Sequence, residues 1–228
     1  MDRFGLRVGA TAGWIAFLGV AIGLVVLPMA IAGQPPTITS PAADVRGYFG
    51  HGQLAFIHAV SPIIVIAMIP FGLALRGALR SVSPRAGLAA DVGLVSMVVA
   101  TPLYVVSAAL GTALVGVSST DGNAFEVLFR LYSVLYDGGA DFLEGAWVGA
   151  FSLAMLSAPV PRWLGWLGVA VAVSRFIKAL APVVALPGAL AIVGGVAFLV
   201  WFGGTVIWLS RAASPSREAA VLAPSPVS

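Results

Sequence analysis

Residues 8–32 read VGATAGWIAFLGVAIGLVVLPMAIA, a stretch that contains no charged side chain. A helix needs about 20 apolar residues to cross the ~30 Å hydrocarbon core of a bilayer. Comparable stretches recur along the chain. At such lengths, only a helix provides hydrogen-bond partners for all backbone N–H and C=O groups within lipid. The sequence therefore predicts an all-α, polytopic transmembrane helix bundle.

Six such stretches are present, and we place the spans at residues 8–32, 54–79, 88–117, 137–157, 163–186 and 188–209. They form one predicted domain over residues 1–211. The tail, residues 212–228, is rich in Ser, Pro and Ala and has no aromatic residue, so we predict that it is disordered. In the loop before the second span, residues 42–49 predict a short interfacial helix with Tyr48 and Phe49 at the headgroup level.

The distribution of basic residues predicts the orientation. Cytoplasmic loops carry an excess of Lys and Arg. With the N-terminus inside, the cytoplasmic segments would hold Arg3, Arg7, Arg76, Arg80, Arg85, Arg162, Arg211 and Arg217. The outer side would hold Arg46, Arg130, Arg175 and Lys178. We therefore expect both termini in the cytoplasm and a multi-pass protein of the cell (inner) membrane.

Composition excludes several classes of protein. Of the 228 residues, 60% are hydrophobic and only 9% are charged, so the predicted partner is the lipid bilayer. The net charge of +3 is spread over few groups and forms no basic face, which argues against nucleic acid. Because the chain has no cysteine, disulfides, thiolate metal sites and iron–sulfur clusters are excluded. No motif indicates a cofactor, and we predict none.

The candidate site is a set of charges at predicted membrane depth. Asp137, Asp141 and Glu144 are spaced by four and three residues, which places them on one face of the fourth span. At ~1.5 Å per residue, Arg175 of the fifth span comes level with Glu144, and Lys178 comes level with Asp141.

The two histidines lie seven residues apart on the second span, and the same counting brings His51 level with Asp137 and His58 level with Glu144. The sequence thus predicts that seven ionisable groups converge in the outer half of the membrane.

Three interpretations of this cluster stay open. Charges within a membrane usually face the bundle interior and pair with one another, so the cluster is consistent with a structural ion-pair network. The second interpretation is a water-accessible pocket, open to the outside, that binds a cation, a proton or a solute. The third is a zinc site made of His51, His58 and carboxylates, although a spacing of seven is wider than the usual ligand pair.

Glycines recur at four-residue spacing, which allows helices to approach closely in lipid. They favour packing within the bundle over an interface, although homo- or hetero-oligomers through these helices remain an alternative. The glycines are Gly5, Gly9 and Gly13, then Gly19 and Gly23, and Gly145 with Gly149.

Residues 161–168, PRWLGWLG, resemble a motif between spans four and five in a family of small six-span bacterial integral membrane proteins of unknown function. The YF pair at Tyr48 and Phe49, and the arginine at Arg211 after the last span, fit the same layout. The resemblance implies a six-span fold in the inner membrane. It implies no activity and no site residue.

These observations lead to one main expectation and two alternatives. We expect a non-enzymatic membrane protein that binds or passes a small, unidentified solute or ion through an outward-facing polar pocket. The first alternative is a structural or partner subunit of a membrane complex. The second is a metal-dependent membrane hydrolase.

Overall fold

The computed structural model describes residues 3–119, 123–182, 184 and 188–214. Every regular element in these residues is a helix, which confirms the prediction of an all-α protein. The helices are α1 (Arg3–Ala32), α2 (Ala42–Phe49), α3 (Gln53–Val82), α4 (Pro84–Val117), α5 (123–156), α6 (Arg162–Lys178) and α7 (Gly188–Ala212). Helices α1 and α5 each contain a wider, π-helical segment, at Gly19–Val26 and Val134–Ala140.

Within the part of the chain that the structure describes, four helices are long and apolar enough to cross a membrane: α1, α3, α4 and the segment Ile192–Ala212 of α7. The fourth and fifth predicted spans, in α5 and α6, are not long or apolar enough by the same measure. Helix α5 carries three carboxylates near its middle, Asp137, Asp141 and Glu144, and α6 has 17 residues. At ~1.5 Å per residue, α6 extends about 26 Å, slightly less than the ~30 Å hydrocarbon core. The count of six spans therefore stays a prediction.

The predicted end of the fifth span was wrong. Helix α6 ends at Lys178, eight residues before the predicted boundary at 186, and residues 179–182 form turns. Pro182 lacks a backbone N–H and disfavours helical conformation in the residue before it. The two cations in the last turn, Arg175 and Lys178, also suit a helix C-terminus, where the helix dipole is negative.

Glycines bring neighbouring helices into close contact. A Cβ added at Gly9 would lie 2.0 Å from the Cβ of Ala74, so the backbone of α1 packs directly on α3. A Cβ at Gly149 would lie 3.1 Å from the Cβ of Ala172, which brings α5 against α6 in the same way. The prediction that the spaced glycines pack helices within the bundle is confirmed at these positions.

The helices run antiparallel, so arginines from distant parts of the sequence lie at one end of the bundle. Gly9 of α1 faces Ala74 near the end of α3, and Gly165 near the start of α6 faces Leu156 at the end of α5. Among the described residues, this shared end holds seven arginines: Arg3, Arg7, Arg76, Arg80, Arg85, Arg162 and Arg211. We call it the arginine end, and the other the acidic end.

Two hydrophobic cores are present. The larger core fills the bundle around Phe71, Trp147, Phe151, Trp201 and Phe202. The smaller core lies at the acidic end and contains Val45, Phe49, Leu114, Phe125 and Phe129.

Helix α2 forms over Ala42–Phe49, and this part of the prediction is confirmed. The placement of Tyr48 and Phe49 at the headgroup level stays a prediction, and Phe49 is buried, at only 1% exposure. Phe49 packs against Phe125 and Phe129 of α5 in the smaller core, so α2 is anchored to the bundle by its aromatic face.

The predicted disordered tail begins where α7 ends, at Ala212. Residues 215–228 of that tail lie outside the described residues.

Candidate functional site

The site is built on two antiparallel helices, α5 and α6. Asp141 and Glu144 lie in the first turn of the regular α-helical segment Asp141–Leu156, and Asp137 lies within the π-helical segment just before it. Arg175 and Lys178 lie three residues apart in the last turn of α6. Wide turns of this kind often occur where a helix supplies functional side chains.

The five charged side chains form an alternating chain. The Nζ of Lys178 lies 3.4 Å from Oδ1 of Asp137 and 2.7 Å from Oδ2 of Asp141. The Nη1 of Arg175 lies 3.2 Å from Oδ1 of Asp141, and its Nε lies 2.9 Å from Oε1 of Glu144. Each cation thus contacts two carboxylates, and a carboxylate occupies each end. We refer to these five residues as the charge chain.

Helix counting predicted that Arg175 lies level with Glu144 and Lys178 with Asp141, and the structure brings both pairs into contact. Counting works here because α5 ends and α6 begins at one short connection at the arginine end, so distances along both helices can be measured from the same level. Whether the charge chain binds a ligand stays a prediction.

Sequence analysis missed one member of the site, Tyr104. Its hydroxyl donates a hydrogen bond of 2.6 Å to Oε2 of Glu144, which links α4 to the inner end of the charge chain. The only signal in the sequence is a lone tyrosine inside the apolar third span. A buried tyrosine hydroxyl usually finds a hydrogen-bond partner, and here that partner is a carboxylate.

Aromatic rings enclose the two cations. The guanidinium carbon of Arg175 lies 5.1 Å from the ring centre of Phe198 on α7, and the Nζ of Lys178 lies 5.5 Å from that of Tyr136. Both distances are within the range of cation–π attraction. The rings keep water from one side of each cation, which strengthens the ion pairs on the other side.

Exposure falls from one end of the charge chain to the other. The side chains of Asp137 and Lys178 are 21% and 22% exposed, whereas those of Asp141 and Glu144 are 4% and 9% exposed. Beyond Glu144, the next turn of α5 contains Trp147 and Val148, both buried in the larger core. The charge chain is therefore open at Asp137 and closed below Glu144.

The predicted placement of His58 beside Glu144 was wrong. The His58 ring stacks on Phe49 at 6.2 Å and meets the edge of Tyr132 at 6.1 Å. Tyr132 precedes Glu144 by twelve residues on α5, or about 18 Å. The error arises because α5 begins at Asn123, well before the predicted span, so the start of α3 packs beside this extension.

His51 is exposed in the turn before α3, and no contact between it and the charge chain is found among the described residues. Neither histidine therefore joins the predicted cluster, which contains five of the seven expected groups.

The geometry does not favour the zinc alternative. In the part of the chain that the structure describes, no three His, Asp or Glu side chains are arranged to hold a metal ion. The three carboxylates of the charge chain contact Arg175 and Lys178 instead, as the distances above show.

The charge chain contains more negative than positive groups. Three carboxylates contact two cations, so one negative charge is in excess when all five are ionised. Three of its buried atoms, Oδ2 of Asp141, Oε1 of Glu144 and Nε of Arg175, lie close to an opposite charge but lack a well-directed hydrogen bond. A buried charge is costly unless it is paired and hydrogen-bonded, so the excess negative charge is only partly compensated within the charge chain.

Comparison with protein-family models, with curated proteins and with solved structures finds no match to this chain. The resemblance of residues 161–168 to small six-span membrane proteins therefore stays a prediction. In the structure these residues have a packing role. A Cβ at Gly165 would lie 2.6 Å from Leu156, and one at Gly168 would lie 1.8 Å from Oγ of Ser152, so both glycines let α6 approach α5.

Proposed function

We propose that this chain is a six-span protein of the cell membrane, with both termini in the cytoplasm, that takes up a small monovalent cation from the outside at the charge chain. The topology is supported by four helices that are each long enough to cross a bilayer, and by the antiparallel contact of α5 with α6. The orientation is supported by the seven arginines at one end, since such residues are retained on the cytoplasmic side.

The observation that carries the functional proposal is the excess carboxylate in a largely buried ion-pair chain. In a medium of low dielectric constant, a single uncompensated charge is costly, and binding one positive charge removes the imbalance. The proton is the smallest such species, and Na⁺ and K⁺ are the next candidates. Oxygen ligands of the kind offered by carboxylates suit all of them.

The outer end of the charge chain is the favoured position for the cation. Asp137 contacts a single cation, Lys178, at 3.4 Å, which is the longest ion-pair distance within the charge chain. Lys178 lies closer to Asp141, at 2.7 Å. Glu144, at the other end, already contacts Arg175 and accepts the Tyr104 hydrogen bond, and it is more buried. We therefore assign the cation to Asp137.

A structural role is the second candidate, because each of the five groups contacts at least one opposite charge. In that case the charge chain only fixes α6 against α5, as expected of a structural or partner subunit, and no cation is needed. The two candidates differ in their response to cations.

The test measures thermal unfolding of the purified chain in lipid nanodiscs. Na⁺, K⁺ and protons are varied one at a time, with choline maintaining ionic strength. We expect one of them to stabilise the wild-type chain, by about 2.7 kcal/mol at a concentration 100 times its Kd. Asp137→Asn should lose this response, because it leaves two carboxylates and two cations in balance.

Glu126→Gln is the matched control, since it removes an exposed carboxylate that pairs with Arg130 on the same helix. It should retain the cation response of the wild type. If no cation stabilises the wild type, or if Asp137→Asn responds as the wild type does, the structural role is the better account.

A further inference from the structure

A groove at the arginine end combines basic and apolar side chains. It has a volume of about 610 Å³ and is lined by Leu73, Arg76, Gly77, Arg80 and Ser81 of α3. The groove lies on the far side of the larger core from the charge chain, so the proposed cation uptake does not use it.

The two arginines of the groove have hydrogen-bonding capacity to spare. The Nε of Arg76 donates to Oδ1 of Asp91 on α4, while the Nη1 of Arg80 makes only longer contacts with Asp91, at 3.4 and 3.5 Å. A guanidinium group carries five N–H donors, and the side chains of Arg76 and Arg80 are 33% and 55% exposed. The contacts with Asp91 therefore use only a minority of their N–H donors.

The charge of the groove matches one phosphodiester. Arg76 and Arg80 carry two positive charges, and Asp91 neutralises one of them. The remaining single positive charge complements the single negative charge of a phosphodiester. Arginine is also well suited to this ligand, because its planar fork can donate two parallel hydrogen bonds to phosphate oxygens.

An apolar surface continues from the arginines toward the middle of the bundle. Leu73 lies one turn before Gly77 and is 46% exposed, and Ile66, seven residues earlier and thus on the same face, is 54% exposed. A ligand that places an anionic head at Arg76 and Arg80 would lay an apolar tail along this face. A soluble anion has no apolar part that could contact this face.

We propose that this groove binds the headgroup of an anionic phospholipid, with its phosphodiester at Arg76 and Arg80 and an acyl chain along Leu73 and Ile66. The proposal is independent of the cation at Asp137. Basic residues near a membrane surface attract anionic lipids, and each contributes roughly a fivefold gain in affinity.

The experiment is native mass spectrometry of the full chain, released from nanodiscs that contain phosphatidylglycerol and phosphatidylcholine. We expect the wild type to retain phosphatidylglycerol in preference to phosphatidylcholine. Replacing both arginines, Arg76→Gln with Arg80→Gln, should weaken retention of phosphatidylglycerol roughly 25-fold, a factor of about five for each. Arg80→Gln alone leaves the Arg76–Asp91 bond in place and should weaken retention about fivefold, which guards against misfolding of the double variant.

The matched control is Arg162→Gln with Arg211→Gln, which removes two exposed arginines from the same end. It should weaken retention of phosphatidylglycerol less than Arg76→Gln with Arg80→Gln does, because neither of these arginines lines the groove. Equal loss in the control would overturn the proposal, since charge at that end would then suffice. Unchanged retention in the Arg80→Gln variant would also overturn it. Retention of inorganic phosphate as strong as that of phosphatidylglycerol would overturn it too, because the site would then recognise a soluble anion and not a lipid.

Discussion

The Nε of Arg175 lies 2.9 Å from Oε1 of Glu144, and this contact joins the last turn of α6 to α5 at the closed end of the charge chain. The same guanidinium lies 3.2 Å from Asp141. Arg175 is therefore shared by two carboxylates, whereas Glu144 keeps a second partner in the Tyr104 hydroxyl. The two members of this pair should respond differently to substitution.

Arg175→Leu should destabilise the protein far more than Glu144→Gln. The first change leaves three carboxylates with Lys178 alone, and breaking a buried ion pair costs about 3–5 kcal/mol. The second leaves Arg175 paired with Asp141, and the glutamine carbonyl can still accept from Tyr104, so we expect a loss of about 1–2 kcal/mol. Reversible unfolding in mixed micelles measures both values. Equal losses would show that Arg175 has no larger role than Glu144.

Tyr104→Phe should destabilise the chain by about 1.5–3 kcal/mol, the usual contribution of a hydrogen bond to a charged group. The substitution removes the hydroxyl that donates to Glu144 and preserves the ring. The control is Tyr132→Phe, because the Tyr132 hydroxyl makes no hydrogen bond within the described residues and its ring packs on Tyr136. A loss of the same size in both variants would argue against a specific role for the Tyr104 hydrogen bond.

Gly168→Ala should destabilise the contact between α5 and α6. The new Cβ would lie 1.8 Å from Oγ of Ser152 and 2.3 Å from Nε1 of Trp201, and overpacking of this kind costs about 1–3 kcal/mol. Adding Ser152→Ala removes the nearest atom and should recover part of that loss. Gly195→Ala is the control, because nothing lies within 4 Å of its added Cβ, and its unfolding free energy should stay the same or rise.

The sequence predicted those parts of the structure that depend on length, hydrophobicity and helical repeat. Apolar stretches located the helices, and spacing along α5 and α6 predicted which charges lie at the same level, because α5 ends and α6 begins at one short connection. Apolar stretches and helical spacing could not predict which residues His58 contacts. It depends on how far α5 extends beyond the charges, and residues 123–133 are amphipathic, so hydrophobicity alone does not set a boundary there.

Tyr104 illustrates a second limit of the sequence. Its partner is Glu144, forty residues away on another helix, and no repeat within α4 indicates which neighbour its face contacts. The same holds for Phe49, whose burial depends on the packing of α2 against α5. Local patterns predict the helices, whereas the contacts of a single residue such as Tyr104, or of helices far apart in the sequence such as α2 and α5, require the tertiary structure.

The most direct test of the central claim, a charge chain open to the outside, uses single cysteines in this cysteine-free chain. Gly138→Cys lies beside Asp137, where an added Cβ makes only ordinary contacts, and Val148→Cys is its fully buried control on the same helix. Val82→Cys marks the arginine end, at the last residue of α3.

Intact cells are treated with a membrane-impermeant maleimide, and labelling of each cysteine is measured before and after permeabilisation. We predict that Gly138→Cys is labelled in intact cells, that Val82→Cys is labelled only after permeabilisation, and that Val148→Cys stays protected in both. Protection of Gly138→Cys in intact cells, with or without labelling of Val82→Cys, would contradict an outward-open charge chain.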